Sequence, residues 1–234
     1  VTTLLERIFG QSTRELPEAV QSHARLKKEL SLDTPLEEAH FVAFDTELTG
    51  LDFKRDSVIA LGAVALEGTR ILPGKTFFSL VRPASSLNSE SVVVHGITHS
   101  DLRGAPPPEE ALEEFVTFIG NAVLIGHFVH IDLHFLDREM KKLWGLPLKN
   151  PAVDTKVIHD WLYENDSRFA RHWRGMTLKG DLFTMARKYG IDVQRPHDAL
   201  YDAFLAAQLF QRFAAFLPES GVGTLKDLIA IGKP

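Results

Sequence analysis

Three strand-forming stretches follow one another from Phe41 onward, and their spacing restricts the chain to few folds. Phe41-Val42-Ala43-Phe44, Ser57 to Leu66 and Lys75 to Val81 are rich in β-formers and separated by Gly, Pro and Asp. Three such stretches in succession, broken by turn-forming residues, predict a meander. Downstream the periodicity changes. Pro106-Pro107-Pro108, Glu109 and Glu110, then Leu112, Phe115, Val116 and Ile119, predict a helix with acids at its positive end. Val123 to Gly126 reads as a short buried strand, His130 to Leu143 as a helix and Ala152 to Thr155 as another strand. Two further helices are expected over roughly 177–189 and 198–216. The fold class is therefore α/β: a mixed central sheet, an antiparallel meander followed by parallel strands, flanked by helices.

The 234 residues, 44% of them hydrophobic, suit a single α/β domain with a modest extension. No apolar run reaches the roughly 18 residues of a membrane span, and no secretory signal opens the chain; the expectation is a cytoplasmic protein without membrane contact. The absence of cysteine removes disulfides, thiolate metal sites and cysteine nucleophiles together. Any metal must then sit on oxygen or imidazole, which favours Mg²⁺ or Mn²⁺ over structural zinc. A net charge of -5 and a pI near 6.1 argue against a protein that coats nucleic acid electrostatically. They leave room for an acid-rich metal site beside a local basic patch.

Four acids stand where acids are costly. Asp45 and Glu47 follow a β-run directly, and strand residues two apart project from one face, so both carboxylates can grip one cation. A second Asp-x-Glu pair, Asp137 and Glu139, falls on a predicted helix, where residues two apart diverge by about 200°. That pair is expected to be a solvated face. Asp132 is the one formally charged residue between Val123 and Leu136, and Asp202 the one between Ala199 and Leu209. A buried carboxylate must be protonated, capped, paired with a base or bound to a cation. Taken singly, Asp132 also fits a helix cap and Asp202 a solvent-facing helix position. Four such acids in one chain shift the balance away from those readings.

His197 precedes Asp202 by five residues, but His40–Asp45 and His127–Asp132 share that spacing, so spacing does not select it. Five residues on one helix would turn His197 away from the face of Asp202. Pro196 before it, and Asp198 as an N-cap, instead put His197 in the loop leading into the helix. There an imidazole of near-neutral pKa suits a general base, and a polar loop histidine without a role remains the alternative.

These residues resemble the DEDDh branch of the DnaQ-like exonuclease superfamily, which includes the proofreading subunits of bacterial replicative polymerases. Phe44 to Leu51 resembles its first motif, Ile125 to Asp132 its second and His197 to Ala203 its third, with His95-Gly96-Ile97-Thr98 and Val153-Asp154-Thr155 as further landmarks. The resemblance covers residues 41 to about 216. It implies an RNase H-like fold in which Asp45, Glu47, Asp132 and Asp202 hold two divalent cations and His197 deprotonates the attacking water. Thr46, Leu51, His95 and Ile131 become the expected contacts of the terminal nucleotide. Phe128 stands where the family commonly has Asn, and Ile131 where it has Phe, which bears on nucleotide contacts more than on metal binding. The implied function is metal-dependent 3′→5′ hydrolysis of a single strand, DNA in proofreading or repair. The alternatives are RNA as substrate and a non-catalytic nucleic-acid or polymerase-binding module.

The expected division is a helical N-terminal extension over 1–38, the exonuclease domain over 39–218 and a C-terminal tail over 219–234. The extension offers a route to a polymerase or other protein partner; packing on the domain and a linker role are equally compatible with its amphipathic spacing. Arg168, Arg171, Arg174 and Lys179, interleaved with Phe169 and Trp173, have a composition suited to guiding a strand, or equally a solvated helix.

Overall fold

Alternation along a strand sends neighbouring side chains to opposite faces, and the central strand of this protein uses both. A computed structural model describes residues 16–26, 30–83, 87, 89–172 and 180–234. His40–Leu48 (β1), Val58–Glu67 (β2) and Arg70–Leu80 (β3) form the expected meander. Val123–Gly126 (β4) and Ala152–Asp154 (β5) complete a five-stranded sheet in the order β3-β2-β1-β4-β5. β1 pairs antiparallel with β2, placing Asp45 opposite Gly62, and parallel with β4, placing Phe41 opposite Val123. The β2–β3 pair is antiparallel and the β4–β5 pair parallel, so the sheet is mixed.

The described helices are Glu18–Arg25 (α1), Ser89–His95 (α2), His99–Leu102 (α3), Pro108–Ile119 (α4), His130–Trp144 (α5), Thr155–Asn165 (α6), Ser167–His172 (α7), Leu182–Lys188 (α8), Ala199–Ala214 (α9) and Leu225–Gly232 (α10). Val42 and Phe44 of β1 join Leu61, Ala63 and Leu124 in packing on Leu112 and Phe115 of α4 and Phe135 of α5. Phe41 and Ala43 face the other way, with Val64, Ile125 and Val153, onto Leu209 and Phe210 of α9. The rings of Phe41 and Phe210 lie 5.0 Å apart. Each fully buried side chain of this size contributes about 1.5–3 kcal/mol, so the two faces of β1 anchor helices on both sides. None of the described helices is long and apolar enough to cross a membrane.

Several boundaries differ from the sequence reading. β3 begins at Arg70 rather than Lys75, because Arg70 pairs with Glu67 across a tight turn. Thr155, expected in a strand, opens α6, a helix the sequence reading lacked; Asp154 caps it by accepting the Lys156 N–H at 2.8 Å. Of the helix expected over 177–189, the described part is α8, capped by Asp181 through the Thr184 N–H at 2.9 Å; residues 173–179 lie outside the described residues.

Residues 219–234, expected as a C-terminal tail, pack on the domain. Thr224 and Asp227 form a capping box at the start of α10, whose Leu225 and Leu228 enter the core beside α6 and β5. Residues 32–36 clasp this helix: Leu36 N–H donates to the Gly223 carbonyl, Leu225 N–H to that of Thr34 and Lys226 N–H to that of Leu32. At the other end, Val20, His23 and Leu26 are buried as α1 packs on α4, and His23 Nε2 accepts the Lys149 N–H at 2.8 Å. Residues 1–15 and 27–29 of the extension lie outside the described residues. Deleting residues 1–37 removes Val20 and Leu26 from the interior, about 3–6 kcal/mol of burial. The expected result in differential scanning calorimetry is a melting temperature lower by about 10 °C. An unchanged melting temperature would show that α1 and the clasp are dispensable to the fold.

Candidate active site

The alternation that packs Phe41 and Ala43 against α9 continues past the core to Asp45 and Glu47, so both carboxylates project to the α9 side. Asp202 meets them from the first turn of α9. Gly62 permits this approach. It lies opposite Asp45, and a Cβ there would stand 2.2 Å from the carbonyl carbon of Ala199 and from the amide nitrogen of Leu200. With only a hydrogen in the way, oxygens of Asp45, Glu47 and Asp202 come within 4.8 Å of one another. Thr46 points to the opposite face and meets α5. There its N–H at 3.0 Å and its hydroxyl at 2.5 Å both donate to Asp132 Oδ1. Asp132 is thus no helix cap: Val129 holds the N-cap position, and the Asp132 side chain is buried on Thr46, outside the three-acid group.

Burial and the neighbouring acids drive every pKa in the group upward. Asp45 is held well above the usual carboxylate range, first by burial and then by Asp132, Asp202 and Glu47. Glu47 is pushed up to about 8 by burial, then by Asp202 and Asp132. Burial raises Asp132 to about 7 against the pull of the Thr46 donors, and Asp202 to about 7 against the His197 N–H. Asp202 Oδ2 accepts that N–H at 2.9 Å, while its Oδ1 is shut from solvent with no hydrogen-bond donor among the described residues. An unpartnered buried carboxylate oxygen, two further acids within 4.8 Å and a chain without cysteine fit a hard divalent cation.

His197 lies outside α9, as its expected place in the preceding loop requires, and Asp198 caps the helix by accepting the Tyr201 N–H at 3.1 Å. The backbone of His197 is left-handed, with φ at 65°, a conformation strained for a residue with a Cβ. Its ring packs edge-on against Phe183 at 4.8 Å, and burial lowers its pKa. Beside it runs an open cleft of about 560 Å³, lined by Thr46, Glu47, Leu51, Val94, His95 and His197 among others. Leu51 stands at its lip, 70% exposed. His95 Nδ1 accepts the Ile97 N–H at 3.0 Å, which leaves the ring proton on Nε2, an atom with no hydrogen-bond partner among the described residues. Ile131 packs against the α4–α5 core and does not line this cleft.

Other residues of the motifs are structural braces. Asp154 Oδ2 accepts the Val129 N–H at 2.9 Å, tying the end of β5 to the start of α5. His127 bridges the Thr155 hydroxyl at 2.8 Å and the Gly180 carbonyl. In the basic stretch, the Phe169 ring is fully buried, and Arg168 is paired with Asp166 and Glu219. Trp173, Arg174 and Lys179 lie outside the described residues. The Asp137–Glu139 pair departs from expectation: Glu139 is buried, because Arg138 and Lys142 supply its countercharge. Gly62 went unnoticed in the sequence, although a glycine inside the run Ala60-Leu61-Gly62-Ala63 is the usual sign of a close backbone approach.

Two measurements test this geometry. Between about pH 4 and pH 8 the folded acids hold protons that the unfolded chain has released, so the cluster lowers stability progressively as pH rises. Metal-free Glu47→Gln is therefore expected to melt above the parent by a margin that widens from about pH 5 to about pH 8, with Mn²⁺ narrowing or reversing it. A margin independent of pH contradicts the raised pKa of Glu47. Gly62→Ala forces α9 away from β2 and should cost about 1–3 kcal/mol or more in denaturant unfolding, with weakened Mn²⁺ binding by calorimetry. Unaltered metal affinity would separate Gly62 from the placement of Asp202.

The exonuclease family, RNase T type, matches residues 42–210. The DNA polymerase III epsilon subunit of Aquifex aeolicus is 31% identical over 183 residues, 78% of this chain and 84% of its own length. The PolC-type DNA polymerase III of Thermotoga petrophila is 31% identical over 201 residues, 86% of this chain, yet the chain spans only 14% of that polymerase. Among solved structures, E. coli exonuclease I in complex with a dT13 oligonucleotide shares the fold with a TM-score of 0.64 at 15% identity, over 77% of this chain and 42% of that one. The nuclease domain of 3′hExo, a DEDDh family member bound to rAMP, does so with a TM-score of 0.60 at 18% identity, over 80% and 95%. A family match across most of the chain, with the DNA polymerase III epsilon subunit among the relatives, means that the chain belongs to the RNase T type exonuclease family.

Proposed function

We propose that the chain removes nucleotides from the 3′ end of single-stranded DNA, using two divalent cations, Mg²⁺ or Mn²⁺, in a proofreading or repair setting. The observation that carries this reading is the convergence of Asp45, Glu47 and Asp202 within 4.8 Å beside the imidazole of His197. Residues 39–218 are read as the catalytic unit, with α1 and α10 packed on it. The relatives among replicative DNA polymerases support DNA over RNA, and a polymerase as protein partner.

Asp45, Glu47 and Asp202, together with Asp132 held by Thr46, would hold the cations. When bound, such ions supply a nucleophile at neutral pH and offset charge on the leaving oxygen. The remaining work falls to protein groups. His197 is kept neutral by burial, so an imidazole nitrogen is available to accept the proton of the attacking water. Its backbone N–H on Asp202 fixes the base to a ligand of the cation site. His95 lines the cleft where the terminal nucleotide would lie, with its Nε2 shut from solvent, and Leu51 at the cleft lip offers an apolar contact to the terminal nucleoside. Thr46 acts by holding Asp132, its hydroxyl and N–H both being engaged there.

The test is to incubate 3′-labelled and 5′-labelled single strands of DNA and RNA with Mg²⁺, Mn²⁺ or chelator, beside His197→Ala. The expected outcome is metal-dependent release of mononucleotides from the 3′ end of DNA, with turnover about 10²–10⁴-fold lower in the variant. Faster release from RNA would change the substrate, and no release from any strand by the folded protein would favour a binding module.

A further inference from the structure

Arg138 does more than neutralise Glu139. Its Nη2 lies 2.9 Å from Glu139 Oε1, and the guanidinium sits 5.1 Å over the ring of Phe135. From this fixed position it reaches back across the fold to the loop of residues 49–57, where Nη1 donates to the Phe53 carbonyl at 2.7 Å and Nη2 to the Asp56 carbonyl. The Phe53 ring lies 4.4 Å from that of His134 and 5.6 Å from that of Phe135, so the loop meets α5 through both polar and aromatic contacts.

The loop is closed on itself. Thr49 N–H donates to the Ser57 carbonyl, the Thr49 hydroxyl to Asp56 Oδ1 at 2.8 Å and Asp52 N–H to Asp56 Oδ2 at 2.8 Å. Gly50 allows this closure, since a Cβ there would stand 2.5 Å from Asp56 Oδ2. A loop braced internally moves as a unit, and what fixes the unit to α5 sets the position of Leu51 over the cleft. The same helix carries Asp132, so the cation site and the nucleotide wall share one support.

We propose that Arg138 is a positioning residue for substrate: by holding the Phe53 and Asp56 carbonyls it sets the height of Leu51 over the terminal nucleotide and so governs substrate affinity. The inference rests on the reading of Leu51 as a nucleotide contact. Misplacement of a contact by a distant substitution is enough to cost up to about 10²-fold.

The experiment measures KM and kcat on a 3′-labelled single-stranded oligonucleotide, and Kd for a fluorescent oligonucleotide with Ca²⁺ in place of the active metal. Arg138→Gln, Arg138→Lys, Leu51→Ala and the Leu51→Ala/Arg138→Gln pair are compared with the parent. Arg138→Lys keeps the charge beside Glu139 but loses the fork that spans two carbonyls, so it carries the test should Arg138→Gln fold poorly. The expected result is KM and Kd raised about tenfold by Arg138→Gln and less by Arg138→Lys, kcat within about twofold, Mn²⁺ affinity unchanged, and the double variant no worse than Leu51→Ala alone. Additive effects in the double variant, or unchanged KM and Kd in both Arg138 variants while Leu51→Ala raises them, overturn the proposal and leave the nucleotide contact standing. Unchanged KM and Kd in Leu51→Ala overturn both.

Discussion

Ionised carboxylates brought together out of water repel one another and lose hydration, each at a cost of several kcal/mol unless a cation compensates. This protein keeps that arrangement at the open end of its central strand. The cost is met by construction: β1 is buried on both faces through Phe41 to Phe44, so its last residues have no freedom to splay apart. Asp45 and Glu47 are delivered to one side by strand geometry, and the start of α9 delivers Asp202 to them across Gly62. The pKa values of the group are raised by burial first and by the neighbouring acids second.

The two faces of the same strand divide the labour. On the α9 side stand the three clustered acids and, through its N–H on Asp202, the histidine. On the α5 side Thr46 receives Asp132, and farther along that helix Arg138 receives the loop that bears Leu51. Braces outside the cleft keep the helices at their stations: Asp154 joins β5 to α5, and His127 joins Thr155 to Gly180. Strain is confined to where the chain turns beside this centre, at Phe128 and His197, the two residues other than glycine with positive φ among those described.

Much of this was legible from local rules, because the features concerned are local. The period of two that separates Asp45 and Glu47 from the Asp137–Glu139 pair holds wherever a strand and a helix differ, and the Asp198 cap that keeps His197 out of α9 needs only the neighbouring residues. What escaped depends on which segments meet in space. Nothing near Glu139 in sequence foretells that Arg138 will be pinned by carbonyls of a loop more than eighty residues earlier, and so that Glu139 will be buried with it. The few apolar positions of α10 are too short a run to distinguish a packed helix from a tail until the clasp by residues 32–36 is seen. Arg168 and Phe169 look like a strand-guiding pair by composition, whereas Arg168 is paired with Asp166 and Glu219 and the Phe169 ring is buried in the core.

The contact at Gly62 also sets how the centre can adapt. Backbone against backbone is incompressible, so the separation of β2 from the start of α9 is a fixed length, and with it the gap between Asp45 and Asp202, whose side chains are short. Glu47, with one more rotatable bond, is the adjustable member of the trio. Were a cation held there, a change in its radius would be taken up by a torsion of Glu47 rather than by movement of the frame, which would make that single side chain the gauge of the site.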